Sequence, residues 1–244
     1  MSVPVQHTTA PIEERLRAGP AVEQGAATVF LQPIAAPSIL GLYGFAGATF
    51  MVAANMAGWF GGPASGHYLF PFAAFFGGLA QFLAAMWAYK ARDGLATAMH
   101  GTWGSFWMAY GVLMLLFGIG ALTPPNPSGL FVELGYWFIV LALTTWIGTW
   151  IATSQSWALT GVLGFLAAGS TAAAIGNLVG SGAWNALAGW LLIVSAAIAW
   201  YTATALLAES SFGRAVLPLF KPAHAQQMPA FAAGFGEPGV RHGQ

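Results

Sequence analysis

Charge is scarce in this chain. Lys, Arg, Asp and Glu together make up 6% of its 244 residues, against about a quarter in an ordinary soluble domain. Seven cations and seven anions cannot cover the surface of a soluble domain of this length, and 57% of the residues are hydrophobic. The bilayer is therefore the expected solvent. Cysteine is absent, which excludes a disulfide framework, a thiol nucleophile and thiolate metal sites. Between residues 40 and 208 the only charges are Lys90, Arg92, Asp93 and Glu133, at breaks between apolar runs. None lies deep in a run, where proton relays and ion-coupled carriers usually keep one. Paired carboxylates, a Ser/His/Asp set at one depth and a metal-ligand cluster are all missing. The sequence thus speaks against an enzyme, a metal site or a cofactor, and its balanced charge gives no sign of a nucleic-acid partner.

What is present is a series of apolar runs. The central one is Ala98 to Gly118, 21 residues without a charge, long enough to cross the ~30 Å hydrocarbon core as a helix. Its first half mixes Gly101, Gly104, Thr102, Ser105 and His100 with Trp103, Phe106, Trp107 and Tyr110. Small residues admit close neighbouring helices, and hydroxyls and rings suit the lining of a narrow solute path. Five further spans are read at about residues 39–60, 68–89, 129–151, 157–179 and 186–207. Three segments result: a polar N-terminal tail over 1–37, a six-span transmembrane domain over 38–208, and an interfacial segment and tail over 209–244. The N-terminal tail has no apolar core, so no cleavable signal peptide is read there. Ile12 to Ala18 has the pattern of a short amphipathic helix.

All seven cations (Arg15, Arg17, Lys90, Arg92, Arg214, Lys221 and Arg241) fall in the two tails or the loop between spans 2 and 3. By the positive-inside rule both termini are expected in the cytoplasm, with the chain multi-pass in the cell (plasma or inner) membrane. Near the ends of spans 1 and 5, Asn55 with Gly58 and Trp59 is echoed by Asn177 with Gly180 and Trp184. That places two amides at similar depth toward the outside.

The polar groups inside the spans are the candidate path: Tyr43, Asn55, Gln81, Thr102, Ser105, Asn177 and Tyr201. Amides are costly in hydrocarbon unless paired, so each either joins helices or replaces the hydration of a passing solute. His100 is the candidate titrating group near neutral pH.

Six motifs in order resemble the acetate uptake transporter family: Leu40-Gly41-Leu42-Tyr43-Gly44-Phe45, Gly77-Gly78-Leu79-Ala80-Gln81, Trp103-Gly104-Ser105-Phe106-Trp107, Ile175-Gly176-Asn177, Ala188-Gly189-Trp190 and Phe212-Gly213-Arg214-Ala215-Val216-Leu217-Pro218. The resemblance implies an all-α integral membrane protein with six transmembrane helices around a narrow central path, assembled as a homohexameric ring. It also implies a channel or transporter for acetate and related short carboxylates, with succinate as a further solute. On matching positions the constriction would be Phe45, Trp103 and Leu166. The expected partners are a small organic anion or acid and the lipid bilayer. A neutral-solute channel (urea, ammonia) and a non-transporting accessory subunit are the alternatives. Three departures from the family pattern are Ala36 for an Asn before span 1, Ala88 for a Glu ending span 2, and Trp103 for a Tyr.

Overall fold

A computed structural model describes residues 35–62, 65–125 and 130–223. The expected helix at Ile12 to Ala18 and the far C-terminal tail lie outside the described residues.

Among the described residues, six helical rods follow one another: α1 (Ser38–Met56), α2 (Ser65–Ala91), α3 (Gly94–Gly118), α4 (Val132–Ala152), α5 (Trp157–Val179) and α6 (Gly182–Phe212). Each packs on the next, and α6 returns to pack along α1, so the six close into a ring. Among the described residues, five are long and apolar enough to cross a membrane; α3 falls short in hydropathy. At 25 residues it is about 37 Å long, and its polar side chains, His100 and Thr102 among them, lower its average.

Small residues fill the close helix contacts, and many bulky apolar side chains face outward. Ala46, Ala53, Ala167, Ala173, Ser170 and Ser195 have no measurable exposure, whereas Phe75, Leu143 and Trp150 are at least 61% exposed. This arrangement suits hydrocarbon, where close helix approach must replace the hydrophobic drive. On α6, a Cβ at Gly189 would stand 2.6 Å from the amide nitrogen of Ala57 and 2.7 Å from the carbonyl of Ala53. Only glycine permits that crossing with α1. Gly41, Gly44 and Gly47, three residues apart on α1, receive close neighbours: the His100 ring, the Phe76 carbonyl and the Phe76 ring.

Helix ends follow local chemistry. The Asp93 carboxylate accepts from the Ala96 amide at 2.9 Å, and the Ser156 hydroxyl from the Leu159 amide at 3.2 Å, each satisfying a first-turn donor. Gly58 and Gly180 take positive φ just beyond α1 and α5 (78° and 66°), a left-handed turn that glycine makes freely. Both members of the sequence echo therefore end their helices alike.

Two elements differ in detail from the sequence reading. α2 begins at Ser65, contains Pro71, and turns π-helical over Ala73–Leu79. Proline has no amide to give the fourth carbonyl back, and the widened turn follows directly after it. Residues 182–185, which fall between the fifth and sixth spans as read and so in the turn joining them, are already helical, and α6 runs on to Phe212. Beyond Gly213, the segment folds back onto the start of α5. The carbonyls of Phe220 and Leu219 accept from the first amides of α5, Trp157 and Ala158, at 3.2 and 3.4 Å. Tyr201 on α6 donates its hydroxyl to the Pro218 carbonyl at 2.7 Å, and Lys221 meets Glu209 at 3.8 Å.

Candidate functional site: two cavities and a shared wall

Inside the ring lie two cavities of about 200 and 210 Å³. One is walled near its mouth by Pro37, Ser38, Asp93, Gln155 and Lys221, and deeper by Phe45, Gln81, His100 and Leu166. The other is walled by Thr49, Asn55, Trp107, Tyr110, Asn177 and Asn185. Trp103 is the one residue that lines both. The linings sort by helix end. The first cavity draws on the start of α1, α3 and α5 and the end of α6, the second on the opposite ends.

The three constriction positions meet here. Phe45, Trp103 and Leu166 are 3%, 3% and 1% exposed and all line the first cavity. The Phe45 and Trp103 rings stand edge to face, centroids 6.3 Å apart at 68°, a favourable quadrupolar arrangement. Phe106 packs edge-on against Trp103 from the other side at 5.5 Å. The Trp103 indole donates to the Thr145 hydroxyl on α4 at 3.1 Å.

Polar groups flank this apolar waist. On the first side Gln81 donates to the Gly77 carbonyl at 2.8 Å, within the π-turn, and its Oε1 lies 3.5 Å from Nδ1 of His100. Both are buried, and His100 occupies the room that Gly41 leaves: a Cβ there would be 2.5 Å from the ring. On the second side Asn55 donates to the Phe60 carbonyl at 2.9 Å and Asn177 to the Ala173 carbonyl at 2.8 Å. Each amide keeps further hydrogen-bonding capacity. Three buried polar atoms there have no partner among the described residues: Thr49 Oγ1, Trp107 Nε1 and Asn185 Oδ1. Such atoms cost about 1–3 kcal/mol each unless water or a ligand meets them.

Of the seven path residues read from sequence, the structure brings Asn55, Gln81 and Asn177 to the cavities. The other four line neither one. Tyr43 bonds the Thr204 hydroxyl at 2.9 Å and Tyr201 bonds the Pro218 carbonyl, tying α1 and the C-terminal segment to α6. Thr102 is half-buried and Ser105 exposed. At about 100° per residue they point away from the face that carries Trp103 and Trp107. Thr49 and Asn185 went unrecognised in the sequence. The signal for Thr49 was its place four residues after Phe45, one turn along the same face. For Asn185 the presumed turn concealed the helix.

The model of the GPR1/FUN34/yaaH family matches residues 18–221. Among curated proteins, the succinate-acetate/proton symporter SatP of Escherichia coli is 31% identical over 189 residues, covering 76% of this chain and 95% of that protein. Ammonia transport outward protein 2 of Saccharomyces cerevisiae is 30% identical over 196 residues, covering 78% of this chain and 67% of that protein. A solved structure of the bacterial acetate channel SatP superposes with a TM-score of 0.69 at 27% identity, covering 77% of this chain and 99% of that one. A family match over most of the chain, near-complete coverage of a bacterial relative and a shared helical fold all agree with the six motifs: this chain belongs to the GPR1/FUN34/yaaH family.

Proposed function

We propose that this protein carries acetate and related short-chain carboxylates, succinate among them, across the cell membrane through a path within each protomer. The observation that carries the reading is the single residue, Trp103, common to two otherwise separate cavities. Six crossings with both termini in the cytoplasm put the Lys221 end inside and the Asn177 end outside, in keeping with the distribution of cations. The assembly is a homohexameric ring. The named relatives are transporters and a channel, which supports passage rather than catalysis.

A carboxylate cannot enter an apolar waist with its water. The effective penalty for an unpaired buried ion is several kcal/mol. Protein hydrogen bonds must replace the lost hydration, or the solute must cross as the neutral acid. Thr49, Trp107 and the Asn55, Asn177 and Asn185 amides supply such groups on the outer side, and Gln81 and His100 on the inner side. Between them Phe45, Trp103 and Leu166 offer only rings and a methyl-bearing chain, so charge is shed or handed over there.

Purified protein in liposomes tests this with radiolabelled acetate, succinate and urea, with and without a pH gradient. Acetate uptake above that of empty liposomes, changed by Trp103→Ala, is expected. Uptake of urea alone, or acetate flux that Trp103→Ala leaves untouched, would overturn it. The yeast relative is named for ammonia, so methylammonium belongs in the same assay.

A further inference from the structure

Thr145 lies on α4, outside both cavity linings, and is completely buried. Its hydroxyl donates to the Leu141 carbonyl one turn back at 2.6 Å and accepts the indole N–H of Trp103 at 3.1 Å. A hydroxyl has one hydrogen and two lone pairs. Committing the hydrogen to Leu141 turns the lone pairs outward and leaves the oxygen a single part to play toward Trp103, that of acceptor. Donation also polarises the oxygen and makes it the better acceptor.

Apart from that bond, Trp103 is held by apolar packing, with 3% of its surface exposed. Phe45 and Phe106 touch it edge to face, and such contacts tolerate a tilted or sliding ring. The hydrogen bond does not, because it fixes which edge of the indole turns toward α4 and hence which edge faces the path. Phe106 meets Phe138 at 5.5 Å and Met99 lies against Gly148, so the bond is a polar tie set between two apolar contacts of α3 with α4.

We propose that Thr145 is a positioning residue for the waist: it holds the Trp103 indole in the orientation that sets the width of the passage, and so determines which carboxylates are admitted. The proposal rests on the reading of Trp103 as the shared wall. Removing the acceptor frees the ring, and longer chains then pass relative to acetate.

The test is acetate and butyrate flux in liposomes for four variants: Thr145→Val, Thr145→Ser, Trp103→Phe, and Thr145→Val combined with Trp103→Phe. Elution profile and thermal midpoint establish that each is folded. Thr145→Val keeps the shape and loses the acceptor; its acetate-to-butyrate ratio is expected to fall on the order of tenfold, the scale of discrimination one or two methylenes allow. Thr145→Ser keeps the hydroxyl and should retain the ratio. In the Trp103→Phe background, which has no N–H to hold, adding Thr145→Val should shift the ratio by less than about twofold, since the coupling is gone. If Trp103→Phe alters flux while Thr145→Val does not, or if Thr145→Val acts equally in both backgrounds, the positioning role is overturned and the waist stands. If neither Trp103→Phe nor Trp103→Ala affects flux or ratio, the waist reading fails and the proposal fails with it.

Discussion

An indole N–H buried without an acceptor lowers stability, and Trp107 carries one in the lining of the second cavity. Its retention there makes sense if a passing carboxyl meets it. Trp107→Phe keeps the ring and discards the donor. The variant should therefore melt at the same temperature or higher, gaining up to about 1 kcal/mol, while the concentration of acetate giving half-maximal uptake rises. A structural role alone would give the opposite pattern, lower stability with unchanged uptake. At this scale the sequence was only partly legible. Phe45, Trp103 and Leu166 were placed through family motifs, and their burial agrees with a dry core. Whether a hydroxyl or amide faces a helix neighbour or a cavity depends on about 100° of rotation per residue and on where each helix begins. That is why Tyr43 and Tyr201 turned out to bond α6 and the C-terminal segment, and why Thr49 was passed over.

Among the elements, α2 shows how a local irregularity places a distant side chain. Pro71 and the π-turn over Ala73–Leu79 add one residue to the turn and so rotate everything after them. Gln81 reaches the first cavity and hydrogen-bonds back to Gly77 as a result. Pro71→Ala restores an amide and favours a regular helix, which would carry Gln81 round by about 100°. Folded protein with severalfold slower acetate flux is expected, and unchanged flux would separate the π-turn from the path. A second prediction concerns α6. Gly189→Leu pushes a side chain into the backbone of α1, where nothing can yield. Overpacking of this kind costs typically 1–3 kcal/mol or more, so the purified variant should show a lowered thermal midpoint or fail to assemble. Runs of hydrophobic residues announced the spans, and Trp157–Val179 was placed to the residue. The π-turn left no such mark, since a proline inside an apolar helix reads the same whether the turn beyond it widens or kinks.

For the molecule as a whole, the cavity linings and the placement of cations point the same way. The turns bearing Asp93 and Gln155, the start of α1 and the Lys221 segment share one cavity, as an even number of crossings between each pair requires. The chain contains no cysteine, so single cysteines can be read without background. Ser154→Cys should react with a membrane-impermeant maleimide only after cells are opened, and Gly182→Cys in intact cells. Labelling of both from the same side would mean that α5 does not cross. Ring assembly would appear in native mass spectrometry as a multiple of the 25.4 kDa protomer. Composition alone foretold lipid as the solvent. Closure of α6 onto α1 was not legible, because small residues mark close contacts without naming the partner.

Side chains alone form the waist beside the wall that the two cavities share, and this bears on speed. A carrier that rocks its halves does so in microseconds to milliseconds, whereas a packed ring tied by one hydrogen bond has only a small distance to yield. With only the Phe45, Trp103 and Leu166 side chains to give way, permeation would need no rearrangement of the backbone. Turnover would then be limited by how readily the cargo sheds its water, and locking the helices together with cross-links should leave the current flowing.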